Sequence, residues 1–148
     1  MGLSAGRRIL RVREIDISDL IGIWFHDVRV SRISIDYVRR EVELECTIPV
    51  GWWNSPNREG LTEGEKKGTL VLTGLLYLVL EPPDANYPYE DSQGIEVTGT
   101  GPVAPEQFAV HLSRMPQDLP EEAFLQYFYV SEWNAYIFVA ATGALFRG

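Results

Sequence analysis

His26 and Asp27 stand side by side in a chain with only one other histidine, His111, and one cysteine, Cys46. An imidazole beside a carboxylate is a minimal acid–base pair, because the carboxylate can orient the ring while the far nitrogen exchanges a proton. An enzyme built on this chain would use His26 and Asp27 as that dyad, with or without a metal. Other chemistry is thinly supplied. Zinc sites draw on Cys and His at short spacings such as Cys-x2-Cys or His-x3-His, and neither occurs. No Gly-x-Ser-x-Gly elbow is present. Gly99-Thr100-Gly101 begins like a phosphate-cradling loop, but Pro102 removes an amide and no Gly-Lys-Ser/Thr follows. No cofactor and no metal is therefore expected. The simpler reading of His26 is structural, with its ring packed at a helix–strand junction and a nitrogen bonded to backbone or carboxylate. Asp27 would then cap a turn.

The aromatic residues point elsewhere. Trp52 and Trp53 open a long polar stretch, Tyr87 and Tyr89 adjoin Glu90 and Asp91, and Trp133 sits between two apolar runs. Aromatics placed where no periodicity requires them are the types that anchor interfaces or line pockets. Trp52, Trp53, Tyr87, Tyr89, Glu90, Asp91 and Trp133 are accordingly the candidate binding residues. The alternative is that these rings lid one end of a core.

The elements that position these residues are mostly strands. Asp16 is a natural N-cap, and Ile17, Leu20, Ile21 and Trp24 form one apolar stripe of a short helix over 16–24 that weakens at Gly22. Val42, Leu44, Cys46, Ile48 and Val50 alternate with Glu41, Glu43, Glu45 and Thr47, which is a strand with one buried face. Cys46 falls on that face as a buried structural thiol. Pairing Ile35 with Val42 and Ile33 with Leu44 sets Arg32 opposite Glu45 and closes a hairpin through Tyr37–Arg40. Val28 and Val30 are even-numbered whereas Ile33 and Ile35 are odd, so a β-bulge is expected near Ser31.

Beyond the hairpin, 51–68 reads as a loop and 69–81 as a strand apolar on both faces that Gly74 allows to bend. A loop over 84–94 and a short strand over 95–98 follow. Residues 99–105 read as a turn region, 108–112 as a strand, and 116–122 as room for one helical turn. The runs 124–130 and 136–141 read as a closing hairpin. Ile9–Arg13 adds a short first strand. The sum is a mainly β, minor α+β fold: a strongly bent antiparallel sheet or partly closed barrel with one or two short helices, in a single domain over 1–148. An open sheet covered by the helix is the alternative.

The net charge of −8 is unevenly spread. Residues 1–40 carry eight arginines against five acids, and the rest carries five bases against sixteen acids. Such a balance argues against general nucleic-acid binding, which depends on neutralising phosphates. It suits a basic protein partner, or simply a solvated acidic surface. The apolar run 70–80 is far short of the roughly 20 residues of a membrane helix, and the N-terminus has no apolar signal segment. No membrane association and a cytoplasmic location are expected. Homo-oligomerisation through an unpaired sheet edge is open.

Trp24-Phe25-His26-Asp27, the strand Val28-x-Val30-x-x-Ile33-x-Ile35-Asp36 and the strand Val42-x-Leu44-x-Cys46 resemble a pattern of small uncharacterised bacterial families in which Phe-His-Asp precedes a hairpin. Some of these families are predicted immunity proteins of polymorphic toxin systems. The resemblance covers roughly residues 24–48 and implies a β-rich fold and a non-catalytic, toxin-neutralising role. The metal-dependent phosphohydrolases named for His-Asp share only that dipeptide. They are helical and need a further upstream His, whereas His26 is the first here and a strand follows it.

Three functional classes remain. The first is a non-enzymatic protein-binding module using acidic and aromatic loops, in one form an immunity-type inhibitor. The second is a small β-barrel binding an apolar ligand, with Trp52, Trp53, Tyr77 or Tyr136 lining a cavity. The third is a hydrolase using the His26–Asp27 dyad.

Overall fold

The computed structural model describes residues 13, 15–23, 25–49, 65–83, 86, 94–102, 109–116 and 118–148. Two antiparallel sheets pack face to face, and two short helices accompany them. In chain order the elements are α1 (Ile17–Ile21), β1 (Val28–Asp36), β2 (Glu41–Pro49), β3 (Glu65–Thr73), β4 (Tyr77–Leu80), β5 (Ile95–Val97), β6 (Gly99–Gly101), α2 (Ala109–Leu112), β7 (Phe124–Val130), β8 (Ala135–Ala141) and β9 (Gly143–Arg147). The first sheet runs β5-β1-β2-β3-β9 and the second β4-β8-β7-β6.

Helix α1 forms because Asp16 caps it, its carboxylate accepting from the Ser18 amide at 2.9 Å. It stops at Gly22, whose φ of 71° suits a residue without a Cβ. Trp24, the expected end of the stripe, lies outside the described residues, as do 9–12 of the expected first strand. Arg13 makes an isolated parallel bridge to Phe124.

The β1–β2 hairpin has the register read from the side-chain pattern. Ile35 faces Val42, Ile33 faces Leu44 and Arg32 faces Glu45, and the register shifts between Val30 and Arg32. The bulge at Ser31 lets the apolar residues on both sides of it face the core. The Asp36 carboxylate accepts from the amides of Val38 and Arg39, which fixes the turn.

Gly74 divides the expected strand 69–81 into β3 and β4 and turns the chain from the first sheet into the second. The returning chain turns at Thr142, between β8 and β9, and the Thr142 amide donates to the Thr73 carbonyl at 3.0 Å. Thus β3–β4 and β9–β8 form one antiparallel ribbon bent at Gly74 and Thr142, with β3 against β9 in one sheet and β4 against β8 in the other. Gly74 has φ 59°, and an added Cβ would run into the Thr142 hydroxyl. The sheet is strongly bent and does not close.

Between the sheets lies a continuous core in which Phe25, Val28, Leu44, Leu72, Phe124 and Phe128 are fully buried. Phe25 meets Phe128 edge-on with ring centroids 5.4 Å apart. A smaller cluster of Met115, Leu125, Phe138 and Ala140, with Leu112 against it, covers part of the second sheet's outer face. Four local expectations are corrected. Residues 65–68, expected in the long loop, are extended as the start of β3 because they pair with Cys46–Pro49 of β2. Gly99–Gly101 is strand β6, held by backbone pairing to Tyr127–Tyr129. Ala109–Leu112 is helical, not extended. No helix forms among the described residues of 116–122.

Candidate functional site

His26 and Asp27 occupy the step from α1 into β1. Ile23 and Phe25 enter the core, and the Asp27 amide donates to the Val97 carbonyl at 2.7 Å. Asp27 has φ 64°, a conformation that Asp tolerates better than most residues. His26 Nδ1 lies 3.1 Å from Asp27 Oδ2, and the two side chains are 38% and 40% exposed. The geometry is that of a carboxylate orienting an imidazole. Among the described residues, no group of three or more His, Cys, Asp or Glu gathers to hold a metal ion.

Of the expected binding residues, Trp52, Trp53, Tyr87, Tyr89, Glu90 and Asp91 lie outside the described residues. Trp133 is on the β7–β8 turn, and its half-buried ring packs against the core between the sheets. The segment carrying Trp52 and Trp53 departs from Pro49 and returns at Glu65, which face one another in the β2–β3 register.

The outer face of the second sheet carries an aromatic row that loop-based reasoning missed. Its signal was present: Tyr127 and Tyr129 are two apart on β7, and Tyr136 and Phe138 are two apart on β8, which places all four on one face. Tyr129 faces Tyr136 across the strands with ring centroids 4.6 Å apart, and Tyr136 stacks on Phe138 at 5.3 Å. His111 from α2 covers Phe138 at 4.6 Å, and its Nδ1 lies 3.4 Å from the Tyr77 hydroxyl. The row is therefore covered at the Phe138 end and open at Tyr136.

Acidic groups border the open end. The Glu81 carboxylate accepts from the Tyr136 amide at 2.7 Å. Exposed Glu132 lies on the adjoining turn, where the Tyr129 hydroxyl donates to Asn134 at 2.9 Å. No lysine or arginine occurs from Phe124 through Phe146. Beneath the row, Gln126 is fully buried and satisfied, accepting from the Ile17 amide and donating to Thr100 at 2.8 Å. It ties α1 and β6 to β7, and so holds the strand that carries Tyr127 and Tyr129.

Open grooves between the described residues include the following. One of about 750 Å³ lies on the first sheet's outer face, lined by Arg29, Glu45, Thr47, Lys67, Thr69 and Arg147 among others. The second, of about 320 Å³, lies between the β1–β2 turn and the start of β4. Tyr77 and Tyr136, considered as liners of an internal cavity, both face outward from the second sheet. No helix among the described residues is long and apolar enough to cross a membrane.

Comparison with known proteins finds no matching family model, no matching curated protein and no matching solved structure.

Proposed function

We propose that this chain is a non-catalytic protein-binding module that captures a basic protein through the tyrosine face of its second sheet. The observation carrying the proposal is the row of Tyr127, Tyr129 and Tyr136, open at Tyr136, bordered by Glu81 and Glu132 and borne on two strands without lysine or arginine. Tyrosines are enriched among the residues that dominate interface energy. Their faces attract the guanidinium and ammonium groups that the neighbouring carboxylates also favour. Mutual stacking holds the rings in place before binding, which lowers the ordering cost.

The acidic stretch that carries Tyr87, Tyr89, Glu90 and Asp91 follows Glu81 in the chain and belongs to the same reading. An immunity-type role, in which the basic partner is a toxin held inactive, is the specific form that the Phe25-His26-Asp27 resemblance implies.

The test is capture by the immobilised protein from lysate of the cells that make it, followed by titration of the identified partner. Wild type should retain a basic protein. Tyr136→Ala, Glu81→Lys and the double change Glu90→Lys with Asp91→Lys should each weaken its binding by about tenfold or more. Retention equal to wild type in all three variants, or no basic protein retained, ends the proposal.

A further inference from the structure

We propose that β4 is a dimerisation edge, at which two copies of this chain pair antiparallel about a two-fold axis and join their second sheets into one eight-stranded sheet. The inference stands apart from the binding proposal above and survives its failure.

Among the described residues, strand β4 pairs on one side only, with β8. The Glu81 amide donates to the Tyr136 carbonyl across this ladder. Antiparallel pairs alternate between bonded and non-bonded positions. In the observed register, Tyr77 and Val79 therefore turn their amides and carbonyls toward β8. Leu78 and Leu80 turn theirs outward, where no hydrogen bond to them is found among the described residues. An outward row of backbone donors and acceptors is a template for another strand.

Self-complementarity selects the occupant. A two-fold axis through Val79 sets Leu78 of one copy against Leu80 of the other, and all four amides and carbonyls of each such pair are then used. An axis through Leu80 would instead set Leu78 against Pro82, which has no amide to donate. Tyr77-Leu-Val-Leu80 carries no charge, so two copies of a chain with net charge −8 can meet here without opposing like charges directly.

Exposed apolar groups gather at this edge. Leu80 is 45% exposed. Tyr37 and Val38, 84% and 94% exposed, cap the hairpin turn whose Arg40 carbonyl accepts from the Leu75 amide at 2.8 Å just before β4. Tyr37 and Leu78 share the groove of about 320 Å³ beside the strand. Edge pairing would shield apolar surface that otherwise faces water. The other edges fit less well. β5 and β6 are three residues each, and α1 packs beside β9.

Sedimentation velocity over a concentration series, together with amide hydrogen exchange, tests the proposal. Wild type should shift from one to two chain masses as concentration rises. The Leu78 and Leu80 amides should gain protection with that shift, while the Val79 amide is protected throughout. Leu80→Lys places a charge on the edge and should weaken dimerisation by about tenfold or more, with the wild-type melting temperature at concentrations where both proteins are monomeric. Leu80→Pro removes one outward donor per copy and should do the same. A wild type that stays monomeric overturns the inference. So does a dimer that Leu80→Lys leaves intact, or one in which Leu78 and Leu80 exchange at the monomer rate.

Discussion

The two sheets share a core and differ on their outer faces. The strands of the first sheet carry Arg29, Arg32, Lys66, Lys67 and Arg147 together with Asp36, Glu41, Glu43, Glu45, Glu65 and Glu96, and the strands of the second carry no charged residue. Two facing positions on the first sheet match opposite charges, Arg29 with Glu96 and Arg32 with Glu45, whereas Asp36 faces Glu41. Arg147 bonds Glu43 across the sheet. The opposite-charge pairs favour the observed register of β1 with β2 and β5. The second sheet's outer face is aromatic, covered by α2 and Met115 at one end and open at Tyr136. Charged side chains are well solvated in the absence of a partner, whereas the ring of Tyr136 retains apolar surface to bury. The two outer faces thus differ in chemistry, with mixed charges on the first sheet and aromatic rings on the second.

The largest predicted effect comes from breaking the bend that lets one ribbon serve both sheets. Gly74→Ala forces a side chain into a left-handed backbone conformation and displaces the Thr142 hydroxyl. The expected cost is about 1–3 kcal/mol of unfolding free energy, measured by urea titration. Loss of stability without a new intermediate would show that the sheets unfold together. Wild-type stability in this variant would mean that the bend does not depend on glycine.

Next in size is an alkaline effect confined to the first sheet. Burial pushes the Cys46 thiol from 9.0 up to about 12, with Glu45 adding in the same direction and a backbone hydrogen bond from Leu70 opposing. The folded chain thus holds the thiol proton more tightly than the unfolded chain. The stabilisation is complete below pH 9 and is lost as pH rises from 9 to about 12, at roughly 1 kcal/mol per pH unit. Cys46→Ala should therefore lose less stability than wild type between pH 9 and 10.5. Parallel pH curves for the two proteins would contradict the assigned burial.

Where sequence and structure agree, side chains carried the information. The Ser31 bulge followed from the change of parity between Val30 and Ile33, and α1 from its Asp16 cap and Gly22 stop. Where they differ, backbone pairing decided. Gly99-Thr100-Gly101 has the composition of a turn, yet β7 recruits it as a strand. Ala109–Leu112 is too short to show helical periodicity. β9 was hidden because Thr142 resets the alternation after Ala141. The aromatic row was legible as paired i, i+2 tyrosines, but its openness was not, since that depends on where α2 ends over Phe138.

The smallest effect sharpens the contrast between the faces. Arg147 is well exposed and Glu43 half-exposed, so their ion pair is screened by solvent and salt. Glu43→Gln should cost under about 1 kcal/mol at low salt and almost nothing in molar salt. Tyr129→Ala on the other face removes stacked ring area and the hydrogen bond to Asn134, and its cost should not diminish with salt, because apolar burial is not screened. Urea titrations of both variants at low and high salt separate the two behaviours. If Glu43→Gln were salt-independent, or Tyr129→Ala were relieved by salt, the contrast between a charged sheet face and an aromatic one would fail at its physical basis.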